Sequence, residues 1–418
     1  MDKTYLQPLK GFRDFLPAEA NNRQYLIDRL RRTFSLFGFE PLETPALEYE
    51  ELLLGKYGDQ ADKLVYKFED LGGRKVALRY DQTVPTSRIL AMYNQKLPMP
   101  WRRFQIQPVW RAENTQAGRY REFLQCDADI YGSSSVVADT EILTLADTIY
   151  QDLGFKDFTI YVNDRKILFE LLHFANIPEN LHLAVIAEID KLDRNSEAQV
   201  AESLKAVGLT DENVKHLFHH LNEQQPTPQL KEIIDNAIAL GVSENRLQFQ
   251  ARLARGLDYY TGMIFEIKIK GYDKGSVLGG GRYDNLIEKL SGTDIPAVGF
   301  AVGFDRTLEA IDELKLLPTQ QNRRKGVLVG IFNKELRNNS FVVASYLRTN
   351  NIQTEVYPDD SAKLAKQLKY ADRKGIKWLI VVGPDEVKNN RVILKNLEDG
   401  HQEDVKLESL PKKINADK

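Results

Sequence analysis

Polar and apolar side chains alternate between Arg121 and Ile130, a pattern typical of a β-strand with two different faces. The even-numbered positions form a plain core face, made of Leu124, Cys126, Ala128 and Ile130. The odd-numbered positions collect a cation, a ring, an amide and two acids, namely Arg121, Phe123, Gln125, Asp127 and Asp129. Guanidinium groups clamp phosphate oxygens, rings stack on bases, and carboxylates accept from ammonium groups. This face indicates a site for a ligand with a phosphate, a planar ring and an amine. A solvated, salt-bridged face is the alternative.

Two other segments carry residue types that suit a ligand. Arg255 precedes Gly256, which lets the backbone approach a ligand closely, and Tyr259 and Tyr260 add hydroxyls and flat walls. The run Leu278–Arg282 has three consecutive glycines and predicts a turn that presents amide N–H groups to an anion or a carbonyl. By spacing alone, the first segment could equally be an ordinary connection between a helix and a strand. The second segment could be a plain loop without a ligand.

The histidines and the single cysteine argue against a protein-bound metal. His216, His219 and His220 have helical spacing, but no acid or cysteine nearby in the sequence completes a site, so a solvated helix face is the better interpretation. Cys126 is the only cysteine, which excludes an internal disulfide and a cysteine-based zinc site and favours a reducing compartment. We therefore expect no metal site built by the protein.

The surrounding pattern predicts an α+β protein with an inserted helical block. An apolar stripe predicts a helix over Ala18–Phe37, and alternation over Leu64–Ile130 predicts antiparallel strands. From about Arg165 to Arg246 the chain reads as short helices, and strand character returns at Met263–Ile269 and Ala297–Gly303, with Arg306 at the start of the next helix. The helical block therefore interrupts one sheet domain.

The last part of the chain predicts a separate, basic domain. A polar linker at Pro318–Gly326 precedes a β-α-β-α-β pattern that ends in a hairpin. The whole chain has a net charge of −3, but Lys325–Lys418 has 17 lysines and arginines against 13 acids, a net charge of +4. A basic domain suits RNA phosphates. The chain has no long apolar run and no signal-peptide pattern, so we expect a soluble, cytoplasmic protein that does not enter a membrane.

Taken together, these blocks resemble class II aminoacyl-tRNA synthetases, and most closely the histidyl-tRNA synthetase family. Phe37–Pro45 is similar to the first class motif, Arg111–Phe123 to the second, and Gly303–Arg306 to the third. The stretch Arg255–Tyr260 is specific to the histidine enzymes, and Lys10–Pro17 and Leu78–Thr83 are similar to further blocks of that family.

The resemblance implies a fold and a domain order. It implies an antiparallel catalytic sheet of six or more strands flanked by helices, a helical insertion, and a C-terminal α/β anticodon-binding domain. The implied boundaries are a first catalytic part over 1–165, the insertion over 166–246, a second catalytic part over 247–318, and the anticodon-binding domain over 326–418.

The resemblance also implies a role for each matched residue. Arg255 and Arg111 would be catalytic. Histidine would be bound by Asp81, Thr83, Gln125, Asp129, Arg255, Tyr259 and Tyr260. ATP would be bound by Arg111, Glu113, Arg119, Phe123 and Arg306, and tRNA by Gln116 and Arg121. The implied reaction joins L-histidine to tRNA(His) through a histidyl-adenylate, with Mg²⁺ accompanying ATP, no organic cofactor, and a homodimer as the working assembly.

Two features leave alternatives open. Asp81 and Asp129 are shorter than the acids that many bacterial members of the family have at these positions. Each could therefore contact the amine or the imidazole of histidine directly or through a water. The sequence also leaves open whether the protein is of bacterial or eukaryotic type. The alternative function is a synthetase-like, histidine-sensing regulatory subunit of ATP phosphoribosyltransferase. Such subunits typically lack the C-terminal domain and the arginine that corresponds to Arg255, and this chain has both.

Overall fold

The computed structural model of the protein describes residues 6–54, 65–114, 120–193, 195–254, 259–317 and 325–416. The chain divides into two compact units, Met1–Leu316 and Leu317–Lys418. None of the helices in the described ranges is both long and apolar enough to span a membrane.

Most strands of the first unit belong to one large sheet. The strands are β1 Glu40–Pro41, β2 Leu47–Tyr49, β3 Lys67–Glu69, β4 Lys75–Leu78, β5 Trp101–Trp110, β6 Glu122–Tyr131, β7 Phe158–Asp164, β8 Leu247–Phe249, β9 Met263–Ile269, β10 Leu278–Arg282 and β11 Ala297–Val302. Eight of them form a sheet in the order β1-β5-β6-β11-β10-β9-β7-β8, and β2, β4 and β3 form a small second sheet. Among the described strands of the large sheet, the edge pairs β1–β5 and β7–β8 are parallel and the other pairs are antiparallel. The expectation of six or more mainly antiparallel strands is confirmed.

Helices cover this sheet or extend away from it. They are α1 Pro17–Leu36, α2 Glu50–Leu53, α3 Thr83–Tyr93, α4 Val136–Asp152, α5 Arg165–Phe174, α6 His182–Ile189, α7 Glu197–Val207, α8 Asp211–Glu223, α9 Pro228–Ala239, α10 Asp284–Ser291 and α11 Phe304–Glu313. Helix α1 begins with a proline at its first position, where no backbone N–H is needed, and buries Leu26, Leu30 and Phe34. The apolar stripe that the sequence predicted for this helix is therefore its buried face.

The helical block between β7 and β8 takes its helix boundaries from local capping residues. Ser196 with Gln199 and Thr210 with Asn213 form reciprocal capping boxes at the starts of α7 and α8. These boxes satisfy backbone N–H groups that an isolated helix start leaves unpaired. The block and the adjoining sheet share one apolar cluster, which includes Leu171, Leu217 and Ile264.

The second unit has its own sheet and core. Its elements are β12 Val327–Val329, α12 Arg337–Thr349, β13 Thr354–Val356, α13 Leu364–Lys374, β14 Trp378–Val381, α14 Pro384–Lys388, β15 Arg391–Asn396, β16 Gln402–Lys406 and α15 Leu410–Ala416. The strand order is β13-β12-β14-β15-β16, with three parallel strands followed by an antiparallel hairpin. This is the expected β-α-β-α-β pattern with its terminal hairpin.

Two local predictions are wrong. The alternation assigned to Leu64–Ile130 is broken by helix α3, where Pro85 lies in the first turn and is tolerated because that turn needs no intrahelical N–H. The glycine run Leu278–Arg282 is the fully buried strand β10, paired on both sides, and not a turn. Its glycines serve close packing, because a Cβ on Gly281 would lie 2.9 Å from the ring of Tyr260.

Candidate active site

Strands β5 and β6 carry two facing rows of polar side chains. In register, the pairs are Arg103 with Asp129, Gln105 with Asp127, and Gln107 with Gln125. Side chains that face each other directly on an antiparallel pair are close enough to interact, so the two rows form one polar patch. Arg103 and Gln105 are fully buried, and Asp127 and Asp129 are each 5% exposed. We call these six residues the buried polar patch.

An ion pair and two phenols hold one end of the buried polar patch. Nη2 of Arg103 lies 2.7 Å from Oδ2 of Asp129. The hydroxyl of Tyr283 donates to Oδ1 of Asp129 and lies 3.3 Å from the hydroxyl of Tyr131. Burial by itself disfavours the charge on Arg103, but Asp129, with Tyr131 and Asp127, raises its pKa above the usual arginine value. Arg103 is therefore a permanent buried cation beside Asp129, where its charge and the Tyr283 hydroxyl oppose the rise that burial imposes on the pKa of Asp129.

Asp127 forms no ion pair with any residue that the structure describes, and Gln125 is its hydrogen-bond partner. Nε2 of Gln125 donates to its Oδ2 at 2.9 Å. Burial raises the pKa of Asp127 to about 8; the charges of Asp129 and Asp81 act in the same direction, and Arg103 and Gln125 oppose them. The side chain is therefore mostly protonated near neutral pH.

Several atoms of the buried polar patch have no hydrogen-bond partner in the described part of the chain. They include Nε and Nη1 of Arg103, Oε1 of Gln105, Oε1 of Gln125 and Oδ1 of Asp127. A buried polar group left without a partner costs about 1–3 kcal/mol, so such groups are uncommon in native proteins. Donors and acceptors that remain unsatisfied side by side indicate the place where a polar ligand binds.

A glycine on the next strand makes room for Asp129. Gly299 of β11 is in register with Asp129 of β6. A Cβ at this position would overlap the Asp129 carboxylate and would lie 2.6 Å from the carbonyl oxygen of Ala128. The lack of a side chain at Gly299 is thus what leaves room for the Asp129 carboxylate.

A cavity of about 570 Å³ opens beside this patch. Its volume is in the usual range of small-molecule sites. Gln125, Gly279 and Ala301 of the sheet contribute to its lining, and Asp190 and Leu192 reach it from the helical block. The remaining lining residues include Arg111, Glu113, Tyr120, Phe123, Arg252, Glu266, Ser276, Phe304, Asp305 and Arg306. The cavity is therefore built jointly by the sheet and the inserted helices.

Two arginines of the cavity are anchored to backbone carbonyls. Nε of Arg111 donates to the carbonyl of Tyr80 at 3.0 Å, and its guanidinium lies 5.1 Å from the ring centre of Phe123. Nη1 of Arg306 donates to the carbonyl of Ser276 at 3.0 Å. Anchoring reduces the side-chain freedom that a ligand would otherwise have to remove on binding. The two guanidiniums are thus held in place as anion or ring partners.

Two family models match the chain and together cover most of it. The model described as "Histidyl-tRNA synthetase" matches residues 11–307, and the model described as "Anticodon binding domain" matches residues 321–417. The chain belongs to the histidyl-tRNA synthetase family.

Relatives of the family match over nearly the full length. A histidine–tRNA ligase of Cytophaga hutchinsonii is 36% identical over 97% of this chain and 98% of its own length, and one of Rhodopirellula baltica is 38% identical over 96% of each chain. The crystal structure of histidyl-tRNA synthetase from Nostoc sp. PCC 7120 matches with a TM-score of 0.85 and 28% identity, covering 99% of both chains. The expected family and fold class are confirmed.

A structure described as an ATP phosphoribosyltransferase regulatory subunit/histidyl-tRNA synthetase from Bacillus halodurans also matches. It has a TM-score of 0.74 and 21% identity and covers 90% of this chain. At that identity the likeness shows the fold alone.

The residues that the family resemblance assigns to ATP lie together in the described structure. Arg111, Glu113, Phe123 and Arg306 all line the cavity. Arg121, assigned to tRNA, lies beside them, because its Nε donates to the carbonyl of Glu113 at 3.1 Å. Arg119, Gln116 and Arg255 lie outside the described residues.

The residues that the family resemblance assigns to histidine are divided. Gln125 lines the cavity, whereas Asp81, Thr83, Asp129, Tyr259 and Tyr260 do not. Asp129 belongs to the buried polar patch, and the rings of Tyr259 and Tyr260 lie 4.6 Å apart, with Tyr259 5.8 Å from Tyr283. Oδ1 of Asp81 accepts from the backbone N–H of Val84 at 3.2 Å, at the start of the helix that also contains Thr83. Asp81 and Tyr259 are thus linked to the patch, Asp81 through its charge effect on Asp127 and Tyr259 through Tyr283.

Three residues of this region are absent from the predicted sites. Arg103 and Tyr283 contact Asp129 directly, and Glu266 lines the cavity and accepts from Ser276 at 2.6 Å. The alternation in β5 around Arg103 and Gln105 was a usable signal, because it repeats that of β6. For Tyr283 the sequence carries no signal, since its contact with Asp129 spans 154 positions.

Proposed function

We propose that this protein ligates L-histidine to tRNA(His) in an ATP-dependent reaction that passes through a histidyl-adenylate and releases AMP and pyrophosphate. The observation that carries the proposal is the adjacency of two sites on one sheet. A cavity lined by Arg111, Phe123 and Arg306 suits ATP, and the buried polar patch beside it suits a small amino acid. The match of the family over nearly the whole chain supports the same activity.

ATP binds in the cavity in this proposal. Arg111 contacts the α-phosphate, Phe123 and Arg306 enclose the adenine, and Glu113 accepts from its amino group. Arg119 reaches the terminal phosphates. The anchored guanidiniums support these assignments because a cation held in place needs little reorganisation to meet an anion.

When bound together with ATP, Mg²⁺ would neutralise phosphate charge in this proposal. Within the described ranges, no group of three or more His, Cys, Asp or Glu side chains that could hold a metal ion is present. Mg²⁺ is commonly held by one or two carboxylates together with substrate phosphates. Glu266 is the cavity carboxylate that we assign to it.

Histidine binds at the buried polar patch and its border in this proposal. Asp81, Thr83 and Gln125 hold the amino and carboxylate end. Asp129 and Tyr260, with Tyr259 beside them, read the imidazole nitrogens. The ion pair between Arg103 and Asp129 supports the second assignment, because the charge of Arg103 opposes the rise that burial imposes on the pKa of Asp129 and so favours an ionised acceptor.

The chemistry is then mainly a matter of positioning and charge. The histidine carboxylate attacks the α-phosphorus in line, and pyrophosphate leaves. A ribose hydroxyl at the tRNA 3′ end later takes the acyl group. Bringing two anions together is the difficult step, so Arg111 and Arg255 stabilise the charge that builds on the α-phosphate.

The tRNA and a second subunit complete the proposed assembly. In this proposal, Gln116 and Arg121 face the acceptor end of the tRNA, and the basic domain over 326–418 reads the anticodon. The catalytic domain consists of residues 1–165 and 247–318, and residues 166–246 form the insertion. Exposed Leu36, Leu47 and Tyr49, around the first class motif, support a homodimer. The reaction belongs to translation, so the cytoplasm is the proposed location.

ATP–pyrophosphate exchange with each amino acid in turn tests this function. Exchange that depends on histidine alone is the expected result, followed by charging of tRNA(His). A protein that binds histidine but supports neither reaction would be the regulatory subunit. The match of residues 321–417 to an anticodon-binding domain argues against that alternative.

A further inference from the structure

Asp127 has no role in the proposed function, although it lies at the centre of the buried polar patch. It is in register with Gln105 on one side and with Ala301, which lines the cavity, on the other. Gln125, its hydrogen-bond partner, lines the cavity as well. Oδ1 of Asp127 is buried and has no hydrogen-bond partner within the described ranges. The carboxyl group therefore offers one unused oxygen next to the cavity.

Among the described residues, no cation forms an ion pair with Asp127, and Arg103 is the cation whose charge acts on it. Strand β5 brings Arg103, which is paired with Asp129 of β6. Asp81, ahead of α3, adds a further acid. On β11, the residues in register with Asp127 and Asp129 are Ala301 and Gly299, which carry no charge. Continuing across the sheet from Ala301, the next charged residue in register is Glu266 on β9. In the described part of the chain, Asp127 and Asp129 thus share one buried arginine, Arg103.

A ligand with a positive charge would complete this arrangement. We propose that Asp127 binds the α-ammonium group of the amino acid substrate, next to Gln125, and becomes ionised as it does so. This inference rests on the proposed function, because it takes the substrate to be an α-amino acid. In the step, the O–H bond of the Asp127 carboxylic acid breaks and its proton passes to solvent. The ammonium group keeps its three protons and becomes the counterion of the carboxylate.

The pKa of Asp127 is consistent with this role. Burial raises it to about 8, so the empty site holds a proton at neutral pH. A cation in direct contact favours the charged form and lowers the pKa of a carboxyl group. Binding of histidine should therefore release a proton in the pH range just below 8.

Calorimetry of histidine binding to the full-length protein tests the inference. Titrations at about pH 7.5, where the free imidazole (pKa about 6.5) is mostly neutral, are run in buffers with different ionisation enthalpies. The unchanged protein should release most of one proton per histidine. Asp127→Asn should release far less and bind histidine roughly 30-fold more weakly or worse, because a buried charge loses its partner. Asp127→Glu keeps the acid and should retain the proton release.

Two controls separate Asp127 from general effects. Imidazole-4-propionate lacks the ammonium group, so its binding should release no proton from Asp127 and should be similar in the unchanged protein and Asp127→Asn. Asp147→Asn removes another acid whose pKa burial raises, but one that pairs with Arg246 away from the patch, so the proton release should stay.

Equal proton release or equal histidine affinity in the unchanged protein and Asp127→Asn would overturn the inference while leaving the proposed function intact. Loss of histidine-dependent pyrophosphate exchange in the unchanged protein would instead overturn the proposed function.

Discussion

Arg103 and Asp129 face each other across strands β5 and β6 and form an ion pair of 2.7 Å in which the arginine is fully buried. Removing one member of a buried pair leaves the other charge without compensation, at a cost of about 3–5 kcal/mol. The ion pair therefore links the stability of the sheet to the charge of Asp129, the residue that we propose contacts the imidazole of the substrate histidine.

Arg103→Met should lower the free energy of unfolding by about 3 kcal/mol or more and raise the KM for histidine. The physical reason is that Asp129 would then take up a proton and lose its value as an ionised acceptor. Urea denaturation and pyrophosphate exchange measure the two effects. The double variant Arg103→Met/Asp129→Asn should be less destabilised than the sum of its parts. Strict additivity would show that the pair is not coupled.

Gly299→Ala should destabilise the protein by about 1–3 kcal/mol and weaken histidine binding. The added Cβ would overlap the Asp129 carboxylate and would lie 2.6 Å from the Ala128 carbonyl, so β6 or Asp129 must move. Thermal denaturation and histidine affinity are the measurements. Gly72→Ala is the matched control, because its Cβ would meet only the ends of the Asp70 and Arg74 side chains, at 3.3 Å or more. Unchanged histidine affinity in Gly299→Ala would contradict the proposed position of Asp129 in the site.

The histidine-free protein should lose stability as the pH rises from about 4 to about 8. Asp127 has a pKa near 8 when folded, against an ordinary value of 3.8, because burial disfavours its charge. Over that window the folded state binds more protons than the unfolded chain, so the free energy of unfolding falls with pH. Asp127→Asn should flatten the curve, as measured by urea midpoints across the window. Parallel curves for the two proteins would mean that Asp127 is ionised in the empty site.

The period-two pattern of β6 predicted most of the core face correctly; Leu124, which it also assigned there, is half-buried and lines the cavity. Cys126, Ala128 and Ile130 are buried, and burial raises the pKa of the Cys126 thiol well above its usual value, so it is an inert packing residue. The residues that contact the polar face of β6 could not be predicted from the sequence. Strand register depends on pairing between segments that are far apart in the chain. Gly299 is brought against Asp129 by β11, and Tyr283 reaches it from the connection after β10.

The wrong assignments have a common physical cause. A glycine run is locally typical of a turn, but in β10 the neighbouring strands come so close that only glycine fits. Helix α3 begins with Thr83, Val84 and Pro85, which locally favour an extended chain, and burial of Val84 and Leu90 outweighs that preference. In both places tertiary packing decides the structure.

Arg255→Ala and Arg255→His should reduce adenylate formation about a hundredfold or more with little change in histidine affinity. The expectation follows if Arg255 acts on charge that develops only in the transition state. Asn163 and Arg165 fix the chain just before it, through hydrogen bonds to the carbonyls of Leu253 and Ala254. Single-turnover adenylate formation and equilibrium histidine binding are the two measurements. Equal losses in both would assign Arg255 to ground-state binding instead.

A chain that ends at Leu316 should keep pyrophosphate exchange and lose most tRNA charging. The first compact unit ends at that residue, and the cavity and the buried polar patch lie entirely within it. The second unit has its own apolar core, so its removal leaves the core of the first unit complete. Exchange and charging rates measured on the same preparation separate the two activities, with thermal denaturation as the control for folding. A parallel loss of both activities in a folded protein would show that the second unit supports the catalytic unit rather than reading the tRNA.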